Sequence, residues 1–470
     1  MRVLFVHTQE DHYSTEKPLE GHERMQFGIS YISALLKKEG HSTRLVVPTR
    51  ETSGIVEEHV RDFDPGLVCF TSVYTEFTFM DELARRLKKS HPDLFLLIGG
   101  PHASLKPDDC LQAFDAVCVG EGEHATLELV EQLEQGRAPA GGIHNLLIKR
   151  DGDVERNEQR PFLADLDSLP FPDREMWLPW MSNQYSRPSV LLGRGCPFQC
   201  TYCCNHALAR LSGGKYVRLR SPENVVEEIL DLKATYPYLS EVYLEVETLG
   251  FNQEWAIELC GLLERMNADL EIPIAFGSNL RVTPRSDYND LFTAFKKCGF
   301  RFINIGLESG RERLRRDVLK RNYSNEDIIG AVRSAREHGL EVGIYNLIGI
   351  PGETKRDFRE TIKVTRACQP DWFLLSVFFP YPGTELHDRC EEMGLLDEPI
   401  RHGFERRKPL LDQPGFSKRQ VGRRYTWCHF LFYAGHRPIR EVAYQVALTK
   451  IYTSPRLLGY YRAVNKNAAR

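Results

Sequence analysis

Three cysteines constrain this chain more than any other feature. Cys196, Cys200 and Cys203 lie in Gly195-Cys196-Pro197-Phe198-Gln199-Cys200-Thr201-Tyr202-Cys203, a C-x3-C-x2-C spacing that draws three thiols onto one short loop. A cubane iron–sulfur cluster takes four ligands, most often cysteine thiolates. A trio therefore leaves one iron open to a small molecule. A structural zinc ion would need a closed tetrahedral set, and no later C-x2-C or H-x3-H pair completes one. A disulfide fits poorly, because nothing points to secretion. Ser189-Val190-Leu191-Leu192 reads as a buried strand running into Gly193-Arg194-Gly195, which places the loop at a strand's C-terminal end.

The pattern around that loop is repetitive. Strands are predicted at residues 189–192, 241–246, 272–277, 302–307, 342–348 and 373–379, with helices at 222–234, 253–266, 288–298, 325–338 and 355–367. Six such units make a partial β/α barrel, and barrel chemistry sits on the loops after the strands. That rule nominates Glu245 and Glu247, which alternation points the same way. It also nominates Ser278, Asn279 and Arg281 after the third strand, and Glu308 and Ser309 after the fourth. Arg281 offers the paired donors that suit a carboxylate. The competing reading is an ion-pair network, in which Arg281 pairs with Glu245 or Glu247.

The first third alternates in the same way, with strands at 3–6, 42–47, 67–72, 94–98 and 116–119 and helices at 29–38, 79–89 and 125–134. This is the signature of a doubly wound parallel sheet. Glycines gather at its strand ends, in Gly99-Gly100-Pro101-His102 and Gly120-Glu121-Gly122-Glu123. Ligands of such sheets bind at those carboxyl ends. The chain thus divides into an α/β domain at 1–140, a linker at 141–188, a barrel at 189–397 and a basic, helical extension at 398–470. The linker holds one strand-like piece, 145–149, and dense turn chemistry around Pro170 and Pro172.

Twelve cysteines without a pairing pattern indicate a reducing, cytoplasmic setting. Cys69, Cys110, Cys118, Cys260, Cys298, Cys368, Cys390 and Cys428 read as small buried hydrophobes, and Cys204 as a bystander. No apolar run reaches the roughly 18 residues of a membrane span, and Met1 to His7 is too short for a signal peptide. Net charge is −4, which gives no general affinity for nucleic acid, yet residues 401–470 hold 15 Lys/Arg against 3 Asp/Glu. That end could meet phosphate, an anionic membrane surface or an acidic partner, or could be a solvated helix pair. Tyr425, Trp427, Phe430, Phe432, Tyr433, Tyr444, Tyr452, Tyr460 and Tyr461 recur there at helix-like intervals, a stripe that reads as core.

Around Tyr202 and Cys203 the chain resembles the radical S-adenosylmethionine (SAM) superfamily, whose signature is C-x3-C-x-(aromatic)-C. "GLESG" at 306–310, "GIPGET" at 349–354 and "PYPGT" at 380–384 strengthen the likeness. "FTSVYTEF", "LLIGGPHAS" and "DAVCVGEGEHATLELV" resemble the N-terminal cobalamin-binding domain of one subclass, which includes methyltransferases and anaerobic cyclases. "LDSLPFPD" at 166–173 is similar to that subclass's connector. The likeness extends to about residue 395.

The resemblance implies a [4Fe-4S] cluster on Cys196, Cys200 and Cys203, with Tyr202 beside it. It implies SAM held by Glu245 or Glu247, Ser278, Arg281, Glu308 and Ser309. It implies cobalamin along Ser72, Thr75, Gly99, Gly100, His102, Gly120 and Glu121. The D-x-H-x-x-G motif is absent, so no protein histidine would bind cobalt. A flavodoxin-like scaffold without corrinoid is the plainer alternative. The implied activity is methyl transfer to a small-molecule or lipid-like substrate, with a low-potential donor such as flavodoxin or ferredoxin. An oxidative cyclase is the second reading, and a SAM- or corrinoid-binding regulator the remote one. The basic tail adds a peripheral membrane location as an option.

Overall fold

Apolar runs without alternation form strands buried on both faces, as parallel sheets require. In β1 (Arg2–Val6), Val3, Leu4, Phe5 and Val6 have no exposed surface. The computed structural model describes residues 1–9, 14–136, 142–150, 152–396, 405–454 and 456–457. After β1 come α1 (Phe27–Lys38), β2 (Ser42–Val46), α2 (Ile55–Phe63), β3 (Leu67–Thr71), α3 (Tyr74–Ser90) and β4 (Phe95–Gly99). Then follow α4 (Pro101–Leu105), α5 (Pro107–Cys110), β5 (Ala116–Cys118), α6 (Glu123–Glu134), β6 (Leu146–Arg150) and β7 (Asp153–Arg156). The sheet order is β2-β1-β3-β4-β5-β6-β7. Strands β1 to β5 pair in parallel, with Val3 opposite Leu67 and Leu67 opposite Phe95. The expected parallel sheet is thus present, and the antiparallel strands β6 and β7, beyond residue 140, extend it.

The second sheet is built from β8 (Ser189–Leu191) onward. A short antiparallel pair, β9 (Gly193–Arg194) and β10 (Arg218–Leu219), brackets α7 (Asn205–Leu208). There follow α8 (Pro222–Thr235), β11 (Glu241–Glu245), α9 (Gln253–Asp269), β12 (Ala275–Leu280), α10 (Asn289–Cys298), β13 (Phe300–Glu308) and α11 (Asn325–Glu337). The run closes with β14 (Glu341–Ile348), α12 (Lys355–Cys368), β15 (Trp372–Val377) and α13 (Glu385–Glu392). The order is β15-β14-β13-β12-β11-β8, with β8 parallel to β11 and β13, β14 and β15 mutually parallel. Helix starts are locally specified: Ser324 with Asp327 and Thr354 with Asp357 form capping boxes on α11 and α12. The helical C-terminus consists of α14 (Lys418–Thr426), α15 (Cys428–Tyr433) and α16 (Ile439–Tyr452).

One strand is displaced from its expected position. β12 begins at Ala275, three residues after Ile272, because Pro273 has no N–H for a ladder. The Ile274 amide turns instead to the Asn267 side chain at 2.8 Å. Ser278 and Asn279 therefore lie within the strand, and only Arg281 follows it.

The chain divides into two compact units: residues 1–199, 203–247 and 265–276, and residues 200–202, 248–264 and 277–470. In the first unit the connector is a tie rather than a loose linker. Asp173 accepts from the Ser33 hydroxyl of α1 at 2.6 Å and pairs with Lys37 at 2.8 Å. Next to it, Arg174 donates to Ser189 O at 2.7 Å and pairs with Glu228 of α8 at 2.6 Å. Trp177 and Trp180 of the same segment are buried, with their indole N–H groups on Ser30 Oγ and Leu45 O.

Candidate active site

The path into the cysteine loop needs glycine. Gly195 has φ +83°, and a Cβ there would strike the Tyr216 carbonyl; one on Gly193 would strike the Arg218 carbonyl. Only bare backbone lets β9 and β10 approach this closely. Past the turn, Cys196 and Cys203 are half-buried in the first unit. The Cys203 thiol is lowered to about 7, first by a hydrogen bond from Cys204, against burial, and then by the Asn205 backbone N–H. Asn205 Nδ2 also donates to Cys203 Sγ at 3.5 Å, while its Oδ1 accepts from Tyr216 Oη at 2.6 Å. The neighbouring Cys204 thiol is pushed up instead, first by its interaction with Cys203 and then by burial. Glu245 ends β11, and burial followed by the charge of Glu247 raises its carboxyl to about 7.

The second unit supplies Cys200, which is buried. Arg281 Nη1 lies 2.9 Å from Cys200 Sγ, and its backbone N–H donates to Thr248 Oγ1 at 2.8 Å. Arg281 thus lies against one of the three loop thiols. Thr201 Oγ1 donates to Val318 O at 2.6 Å, pinning the loop from the other side. Tyr202 is anchored through its hydroxyl, which accepts from Arg321 Nη1 at 2.7 Å; the same nitrogen reaches Glu308 Oε1 at 2.7 Å. Glu308 closes β13 with φ +60°, at a register shift between Gly306 and Glu308. Tyr323 Oη donates to Gly306 O at 2.7 Å, and the buried Arg315 guanidinium reaches Ser309 O.

Sequence reasoning did not single out Arg321, Tyr323, Asn205 or Tyr216, because isolated polar residues carry no period. It also missed Gln413. That side chain spans the turn after β14: Gly352 N–H donates to its Oε1 at 2.6 Å, and its Nε2 donates to Ile350 O at 3.1 Å. Glu353, in the same turn, accepts from Gly349 N–H at 2.6 Å and is 1% exposed, with its second oxygen unpartnered. Burial raises its carboxyl to about 8 from the ordinary 4.5. As pH rises above 4.5 the unfolded chain loses this proton first, so stability is full below 4.5 and falls through about 8. Glu353→Gln is expected to flatten that part of the profile. Denaturation midpoints across this range test it, and a variant with the wild-type slope would remove the assignment.

In the N-terminal sheet the nominated residues share the carboxyl edge of β3, β4 and β5. Ser72 follows β3, Gly99 ends β4 and Gly120 lies just past β5. Gly100 has φ +96°, and a Cβ on it would meet Ser72 O and Thr71 Oγ1, each at 2.9 Å. Two nominees are otherwise engaged. Pro101 starts α4 and turns His102 inward, where its ring packs 4.2 Å from Phe77. Glu121 pairs with Arg194 at 3.0 Å and with Arg218 at 2.9 Å, and it accepts from Leu163 N–H at 2.8 Å. These bonds draw its charge into the protein.

Residues 190–365 match the radical SAM superfamily model, and residues 21–130 match the B12 binding domain model. The chain thus carries a radical SAM domain and a B12-binding domain together. It is 26% identical over 444 residues to an uncharacterized methyltransferase of Pyrococcus horikoshii, covering 92% of each chain. It is 25% identical to the anaerobic magnesium-protoporphyrin IX monomethyl ester cyclase of Rubrivivax gelatinosus, over 84% of this chain and 70% of that one. Its fold is similar to the radical SAM methyltransferase TsrM of Kitasatospora setae, with TM-score 0.66, 19% identity, and coverage of 85% and 79%.

The two domains bring a [4Fe-4S] cluster, SAM and cobalamin as cofactors. The residues present fit them. Three thiols on one loop, one of them acidified, are the donor set a cluster takes. Ser72 Oγ is buried without a hydrogen-bond partner at the edge where Gly99 and Gly100 expose backbone, which suits a polar ligand. Among the described residues no helix is long and apolar enough to cross a membrane.

Proposed function

We propose that this protein is a cobalamin-dependent radical SAM methyltransferase acting on a substrate yet to be identified. The observation that carries the reading is one chain bearing both a three-thiol loop and a B12-binding domain, matched over 92% of its length by an uncharacterized methyltransferase. Cys196, Cys200 and Cys203 hold the cluster, and Arg281 steadies the Cys200 sulfur. In the second unit Tyr202 and Glu308, locked together by Arg321, serve SAM recognition with Ser278 and Ser309; in the first, Glu245 and Glu247 are the carboxylates nominated for the same ligand. Ser72, Thr75, Gly99, Gly100 and Gly120 form the corrinoid face. When bound, these cofactors supply the radical and the methyl carrier, while the protein positions them and excludes water. A low-potential one-electron donor is required.

The match to a cyclase over 84% of the chain favours a second reading, oxidative ring formation. One assay separates the two without knowledge of the substrate. Anaerobically reconstituted protein is given SAM and a strong reductant, and S-adenosylhomocysteine is measured against bound cobalamin. A methyltransferase is expected to release it in an amount matched to the corrinoid. Retained corrinoid with 5′-deoxyadenosine but no S-adenosylhomocysteine would put the oxidative reading first.

A further inference from the structure

The C-terminal aromatics form the expected core only in part, with Phe432 buried and Tyr425 packed against the same cluster. Trp427 is 50% exposed, Phe430 43% and Tyr444 62%, whereas Phe432 is buried; Tyr460 and Tyr461 lie outside the described residues. Arg419, Arg423, Trp427 and Phe430 are all exposed and follow one another at intervals of four, four and three. Backbone bonds from Trp427 N to Arg423 O and from Leu431 N to Trp427 O carry the helical period across the junction of α14 and α15. The four side chains therefore share one face.

Helix α16 continues this surface. Its apolar residues are spread round the helix between Arg440, Glu441, Gln445, Thr449 and Lys450, yet only Val442 is buried, and Ile439 is 64% exposed. Apolar side chains left exposed together in this way mark a contact surface. The charge is one-sided as well. Residues 405–457 hold 11 Lys/Arg against 3 Asp/Glu, while the chain as a whole carries −4. Among the described residues no ion pair holds Arg419, Arg423, Arg424 or Arg440.

We propose that α14, α15 and α16 form a docking surface for an anionic phospholipid bilayer. Protruding Trp and Phe rings suit the headgroup boundary, which yields around them, whereas a rigid protein surface would need matching pockets. Unpaired arginines beside the rings meet lipid phosphates, and the net negative remainder of the chain is repelled, so the contact is oriented. The attachment is peripheral, since no described helix spans. It is independent of the reaction proposed above.

The test is flotation of the full-length protein with vesicles that are about one-third phosphatidylglycerol, compared with pure phosphatidylcholine, at low and high salt. Salt-sensitive binding to the anionic vesicles alone is expected. Arg419→Glu with Arg423→Glu should weaken it at least ~25-fold, roughly fivefold for each arginine lost. Trp427→Ser with Phe430→Ser should weaken binding that high salt does not remove. Circular dichroism confirms that these surface variants stay folded. Equal binding to both vesicle types overturns the anionic requirement and with it the proposal, and no binding to either overturns it in favour of an acidic protein partner. A dimer dispersed by the Trp427 and Phe430 changes, without vesicle binding, overturns it in favour of a second copy.

Discussion

Cys203→Ala is expected to abolish reductive SAM cleavage, with iron content and visible cluster absorbance falling together. Two thiols cannot hold a cluster that needs three protein ligands and leaves one iron open. Cys204→Ala is the informative partner. Cys204 is the next residue in the chain and holds the Cys203 thiol down, so its loss should raise that thiol while the cluster still assembles. Asn205 remains on the Cys203 sulfur at 3.5 Å in that variant. The measurements are iron per chain and 5′-deoxyadenosine formed under reductant. A Cys203→Ala protein that keeps both, beside a Cys204→Ala protein that loses them, would transfer the third ligand to Cys204.

The largest expected loss of stability is at Glu228→Ala. Glu228 is 1% exposed and lies between two buried guanidiniums, Arg174 at 2.6 Å and Arg220. Removing the carboxylate leaves two uncompensated buried cations, and breaking a buried pair in this way costs about 3–5 kcal/mol. Arg174 also joins the connector to Ser189 at the head of β8, so the damage should reach the strand that feeds the cysteine loop. Denaturant unfolding followed by tryptophan emission reads it, because Trp177 and Trp180 lie in that connector. A change below about 1 kcal/mol would show that relaxation or water compensates the arginines.

Most elements were legible because their causes are local. Apolar runs such as Val3-Leu4-Phe5-Val6 have a period that can be read without neighbours. The cap residues Ser324 and Thr354 mark their helices within four positions. The three-cysteine loop was legible for the same reason, since its spacing is its chemistry. β12 was placed three residues early because its apolar run begins before Pro273, whereas the ladder begins only after it.

The polar partners were not legible. Arg321 stands more than a hundred positions from the Tyr202 it anchors, and Gln413 about sixty from the turn it spans. Glu121 looked like a ligand contact because it sits in a glycine-rich loop after a strand; only the fold shows Arg194 and Arg218 closing on it. The C-terminal aromatics matched a buried stripe by interval alone, and burial is a property of what surrounds a helix. By itself the sequence determined the strand–helix alternation, the three-cysteine loop and the two kinds of domain, all of which depend on residues near one another in the chain. The tertiary structure alone decided which charges are neutralised, which thiol is acidified and which helix face stays uncovered, because electrostatics and burial act through space.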